Sequence, residues 1–320
     1  MTTNPQALAM VEGAPVLYPV LRAVFHLEAL EPDDAERIEE ANAIVSEWLG
    51  DQFGISWFSF WNEVEGFRRT DLEYASQYAT SLATEVGAEE WETNLLQNAG
   101  KHSRDEFNVT LSGSKVPSQG SPIMYDFWAE IPEVGFGDQY RALAMLSVSV
   151  PIDWPLQDFY DRVNAISNCL RLRWGAAGYS YAEWILYDYQ TAFDHKYAHA
   201  RRYHCFDVAQ YVHLAERWHD EIRSVDWLTW VGPALVEKLS AAGVALDSST
   251  LLTVTRVADT VRIEAGKAPE AGDINRLQVP IAYVAADRLV RPVRARTGVD
   301  FGGRWTEATT AGWLSRFETA

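Results

Sequence analysis

Cysteine is scarce in this 320-residue chain, with only Cys169 and Cys205 present. So small a number excludes a disulfide-stapled secreted scaffold, and two reduced thiols are expected of a cytoplasmic protein. No run of about 18 uninterrupted apolar residues occurs, so no transmembrane helix is expected. Residues 1–19 contain no Lys or Arg and lack the basic and apolar regions of a signal peptide. Basic residues are sparse throughout the first half. Residues 1–160 hold 8 Lys+Arg against 26 Asp+Glu, whereas residues 161–320 hold 19 of each, so the whole net charge of −18 lies in the first half. A pI near 4.8 leaves no basic footprint with which to grip nucleic acid directly. Also missing are G-x-S-x-G, a phosphate-cradling P-loop and a G-x-G-x-x-G after a strand. No catalytic residues, bound metal or cofactor are therefore expected.

What the chain does have is concentrated acid and many large aromatics. Nine carboxylates lie between Glu28 and Asp51, opposed only by Arg37. Asp33, Asp34 and Glu36 complement the positive end of a helix that follows Pro32. The surplus beyond that first turn is not explained by the helix dipole. A negative surface attracts a basic macromolecule and raises its encounter rate. Glu31, Asp34, Glu39, Glu40, Glu47, Asp51, Glu89 and Glu90 are the candidate contact residues. The 13 Trp are expected mostly in the core.

Periodicity divides the chain into strands and helices. Leu21–Leu30 reads as a strand. Ala35, Ile38, Ala41, Val45, Trp48 and Leu49 give the following helix one apolar face, ended by Gly50. Strands are expected at Ile55–Trp61, Tyr125–Ile131, Arg141–Val150, Gly178–Leu186 and Ile222–Trp230. Helices are expected at Asp71–Ala83 and Glu89–Ala99, after Pro155, from Pro233 to Leu239, and at Tyr283–Leu289. Leu251–Val257 and Val261–Ala265 form a hairpin, and residues 112–122 a loop. Strands come in adjacent groups, which points to an α+β fold with a mixed or mainly antiparallel sheet and helices packed on it. The order strand, Pro, helix recurs at 22–49, 141–173 and 223–241. The expected organisation is an arm over 1–19 and one domain over 20–317, acidic from 20 to 153 and neutral from 154 to 317.

Five histidines lie between His195 and His219. His195 and His199 are spaced to share one helix face, a spacing that can chelate zinc. The glutamate that a zinc hydrolase carries inside such a pair is missing from HKYAH, and no second close Cys/His pair completes a structural site.

Four segments carry a family resemblance: HARRYHCFDV at 199–208, IRSVDWLTWVGPALVEKL at 222–239, VRIEAGKAPEAGDINR at 261–276 and VPIAYVAADRLVRPVR at 279–294. In order and spacing they resemble the type VI secretion immunity proteins, and the looser likeness spans 20–317. The resemblance implies a bacterial immunity protein (an antitoxin) that binds a cognate effector toxin encoded by the adjacent gene. Toxins of this kind are often nucleases, which suits a basic partner for an acidic chain. A cytoplasmic location, no direct nucleic-acid or membrane partner and a fold-holding role for the four segments are expected. The oligomeric state stays open. A metal-dependent hydrolase built on His195–His219 and an adaptor or chaperone of the secretion system are the alternatives.

Overall fold

Period-two alternation along residues 14–27 sets the middle of the fold. Leu21, Ala23, Phe25 and Leu27 of β2 (Ala14–Leu27) point into the main core, while Arg22 faces the other way. A computed structural model describes residues 7–11, 13–58, 63–77, 106–130, 143–183, 189–208, 221–296 and 303–318. β2 is flanked by β8 (Leu172–Glu183) and β7 (Leu143–Pro151), both antiparallel to it. Beyond β8 lie β9 (Leu228–Val231), β11 (Thr260–Ala265) and β10 (Leu252–Val257). Beyond β7 lie β6 (Met124–Glu130), β5 (Glu106–Ser112), β3 (Ile55–Phe58) and β4 (Glu63–Gly66). A short β1 (Ala9–Val11) pairs with the first residues of β2. The pairings of this 11-stranded sheet are antiparallel, and with the packed helices they make the α+β architecture that the strand grouping implied.

Helices α1 (Asp34–Leu49), α2 (Leu156–Cys169), α4 (Pro233–Ala241) and α5 (Ile281–Val290) bury their apolar stripes in the main core with β2, β6 and β7. The stripe Ile38, Ala41, Val45 and Leu49 of α1 is fully buried, as are Phe159, Val163 and Ile166 of α2. Two indoles tie these helices together, because Trp48 and Trp154 both donate to the Asp158 carboxylate, at 2.9 and 2.7 Å. A second cluster around Tyr181, Phe206, Trp305 and Trp313 packs α3 (Tyr189–Ala200) and α6 (Glu307–Leu314) near the start of β2 and the end of β8. On the sheet face opposite α1, Arg22 donates to Ser147 at 2.9 Å and pairs with Asp126 at 3.5 Å.

The sequence reading differs from the structure at several places, and it offered no strand over β4 or β5 and no helix over α6. Residues 9–11 and 14–19 are strand rather than loose arm. Pro19 fits inside β2 because pairing with β7 starts only at Val20, so its missing N–H costs no bond on that side. β8 begins at Leu172, six residues before Gly178, where Trp174-Gly175-Ala176-Ala177 gives a weak strand signal. The small residues answer to packing: Phe25 and Trp230 rings meet edge to face at 5.3 Å beside Gly175, and a Cβ there would press on Phe25 at 3.0 Å. The strand expected over Ile222–Trp230 is only β9, and Ile222 instead forms a single parallel bridge with Arg294. The stretch Glu89–Ala99 lies outside the described residues, as does the part of Asp71–Ala83 beyond residue 77.

Candidate functional site

α1 combines a fully buried stripe with a solvent face rich in carboxylate. Asp33, Glu36, Glu39, Glu40 and Glu47 are exposed on it, and Asp51 is exposed in the turn that follows. Glu47 meets Arg162 at 3.1 Å and Asp51 meets Arg69 at 2.7 Å. Both are solvated surface pairs, worth about 0–1 kcal/mol each. Asp33, Glu36, Glu39 and Glu40 have no ion-pair partner among the described residues. Their charge is therefore available to a binding partner. Asp153 and Asp161, exposed on and just before the neighbouring α2, extend the negative face.

Asp34 does not belong to that face. It is 2% exposed and takes a bidentate bond from Arg171, at 2.8 and 2.9 Å, while its Oδ2 accepts the Glu31 backbone N–H. Those hydrogen bonds hold the Arg171 pKa above its ordinary value. The fork joins the start of α1 to the start of β8, so Asp34 is a structural residue. Its neighbour Glu31 is half-exposed and also pairs with Arg171, at 3.3 Å. Glu89 and Glu90 lie outside the described residues.

At the N-terminal end of the α1 ridge a cleft of about 590 Å³ opens between α1, α2, α4 and the β10–β11 turn. Glu28, Glu31, Glu237 and Asp259 line it against Arg37 and Arg171, with Leu170, Leu172 and Trp230 among its apolar walls. Glu28 pairs with Arg173 at 3.3 Å. Glu237 and Asp259 are exposed and unpaired among the described residues. Both come from the half that is neutral overall, and the sequence reading missed them. A charge balance taken over a half-chain hides two carboxylates that folding carries onto the acidic side. Nearby, burial pushes the Cys169 thiol pKa up, and the Glu40 carboxylate adds to the rise.

The histidines have other work. His195 is exposed on α3, whereas His199 holds the Tyr181 hydroxyl at 2.8 Å from its Nδ1 and lies against Tyr203 and Phe206. Burial in that ring cage pushes the His199 pKa down to about 4. Burial, helped by Arg316, does the same to His204. His213 and His219 lie outside the described residues. Among the described residues no three His, Cys, Asp or Glu converge as metal ligands.

The four motif segments are joined to one another. Arg202 of the first forks onto Asp273 of the third at 3.1 and 2.8 Å. Asp207 of the first pairs with Arg223 of the second at 2.6 Å, with both side chains almost fully buried. Asp287 and Arg294 of the fourth pair with each other in the core. From outside the segments Arg316 reaches in to the His204 carbonyl at 2.5 Å and the Ser224 hydroxyl at 2.9 Å. The motif residues thus hold the fold of the second half, on surfaces separate from the acidic ridge of α1.

Residues 64–317 match the family TsiV, described as type VI immunity for VRR-NUC, and the chain belongs to that family. Among solved structures, the Pseudomonas aeruginosa type VI secretion system protein PA0821 is similar in fold, with a TM-score of 0.69 at 17% identity over 98% of this chain and 86% of that one. A comparison with curated protein sequences returns no match. No helix among the described residues is long and apolar enough to cross a membrane.

Proposed function

We propose that this chain neutralises a VRR-NUC effector nuclease by forming a stoichiometric complex with it in the cytoplasm, without turning over any substrate. The effector is encoded by the adjacent gene. The observation that carries the reading is the unpaired carboxylate row Asp33, Glu36, Glu39 and Glu40 on α1 of a TsiV family member. A nuclease must be basic where it grips phosphate. An exposed row of carboxylates interrupted by a single cation, Arg37, with which it forms no ion pair among the described residues, is the surface such a protein meets first, and steering by exposed charge acts on the association rate. Glu47 and Asp51 contribute less, because Arg162 and Arg69 already screen them.

The direct test is co-expression and co-purification with the neighbouring effector. Cells expressing the effector alone should lose viability, and the immunity chain should restore growth and elute with the effector as one species. No rescue and no joint elution would refute the reading.

A further inference from the structure

The cleft beside the ridge differs from the ridge in having walls. It is formed where the C-terminus of α2, the N-terminal half of α4 and the β10–β11 turn face the start of α1. The end of α2 is unusual in this molecule. Among the described residues no backbone N–H closes its last turn and no basic side chain lies in that turn, while Ser167 and Asn168 at that end line the cleft. A helix end of this kind presents free carbonyl oxygens and the negative end of the helix dipole. By contrast, cap bonds close α1, α4 and α6, and α5 carries Arg288 in its last turn.

The cleft therefore brings together the uncapped end of α2 and the carboxylates Glu237 and Asp259, which form no ion pair among the described residues. Beside them lie apolar surfaces from Pro233, Ala234, Val257 and Ala258. A guanidinium group presents five N–H donors in a planar fork and a long apolar stem, which matches that combination. An ammonium presents a compact, strongly hydrated charge and matches it less well. Arg37 is the one cation on the cleft without an ion-pair partner among the described residues, and it lies at the ridge side.

The geometry points to this cleft as the socket for an arginine side chain from the basic surface of the effector, the anchor of the complex rather than its steering surface. The inference rests on the effector-binding reading above and adds the site at which a single partner residue is held. An anchor in a walled site governs dissociation, whereas the open ridge governs association.

Two arms test it on the full chain. In the first, the tripeptide Gly-Arg-Gly, blocked at both ends, is titrated against the protein and followed by amide NMR, with Gly-Lys-Gly and Gly-Gln-Gly as comparisons. The arginine peptide should move the amides of Ala234 and Asp259 in a saturable way and bind more tightly than the lysine peptide. The glutamine peptide should do nothing. In E237Q/D259N, which changes only exposed side chains, the arginine affinity should fall about 10-fold. In the second arm, complexes with the co-purified effector are compared by dissociation kinetics. A234W, which fills the cleft, should raise the dissociation rate about 30-fold, with the association rate within about twofold of the parent. Indistinguishable peptides, or an A234W complex that dissociates at the parental rate, would overturn the socket while leaving the effector complex intact. Failure of the parent chain to bind any effector would instead remove the reading beneath it, whatever the peptides do.

Discussion

Asp34 shows how little a residue's identity fixes its role in so acidic a chain. It stands among nine carboxylates, yet it alone in its helix is buried and forked by Arg171. Asp34→Ala should lower stability by roughly 1–3 kcal/mol, since it removes the fork and leaves the partly buried Arg171 guanidinium with only Glu31 as an ion-pair partner. It should leave the salt dependence of effector association unchanged, and urea titration with binding kinetics reads both. Gly178 is similarly constrained, because a Cβ there would overlap the buried Asp226 carboxylate. Gly178→Ala should cost about 2–3 kcal/mol by denaturant titration. Leu277 sits in a left-handed conformation, φ 56°, with its side chain 92% exposed. Leu277→Gly should therefore raise stability by up to about 1 kcal/mol, detectable as a higher melting temperature. His199 titrates near 6.5 when unfolded and near 4 in its ring cage. As pH falls from 6.5 to 4 the unfolded chain takes up a proton that the folded chain refuses, so the stability present above pH 6.5 is progressively lost. His199→Gln, which keeps an acceptor for the Tyr181 hydroxyl, should flatten the fall of the urea midpoint between pH 7 and 5.

At the level of elements, the sequence was most legible where one face is buried and the other wet. The apolar stripe of α1 from Ile38 to Leu49 and the hairpin across Ala258–Thr260 are read directly from periodicity and turn length. The α2 face through Phe159, Val163 and Ile166 is equally clear. β8 was legible only in its second half, because Gly175 is small to admit the Phe25 and Trp230 rings, a fact that resides on β2 and β9. The α1 ridge was visible because its carboxylates are adjacent in the chain. The cleft was not, because Glu31, Ser167, Glu237 and Asp259 come from four separated segments that only the sheet order brings together. The free end of α2 is invisible to composition too, since it depends on which N–H groups fail to arrive.

Across the whole molecule, the buried charge pairs and the acidic ridge of α1 lie in different places, and only the cleft draws on a motif segment, through Trp230, Ala234 and Glu237. The motif segments that carry the family likeness spend their charges on one another, in pairs such as Arg223–Asp207 and Arg202–Asp273. The first half keeps a helix face of carboxylates with no internal partners, Asp33, Glu36, Glu39 and Glu40. Members of one family can then share a scaffold while the recognition surface varies, since changing an exposed ridge residue disturbs no buried pair. The most direct measurement is the association rate with the effector, followed from low to high ionic strength for the parent chain and for E36Q/E39Q/E40Q. The parent rate should fall steeply as salt rises, by about 10-fold or more between 10 and 300 mM. The neutralised ridge should start slower and respond only weakly. An association rate insensitive to salt, or a triple variant indistinguishable from the parent, would contradict capture by the acidic face of α1.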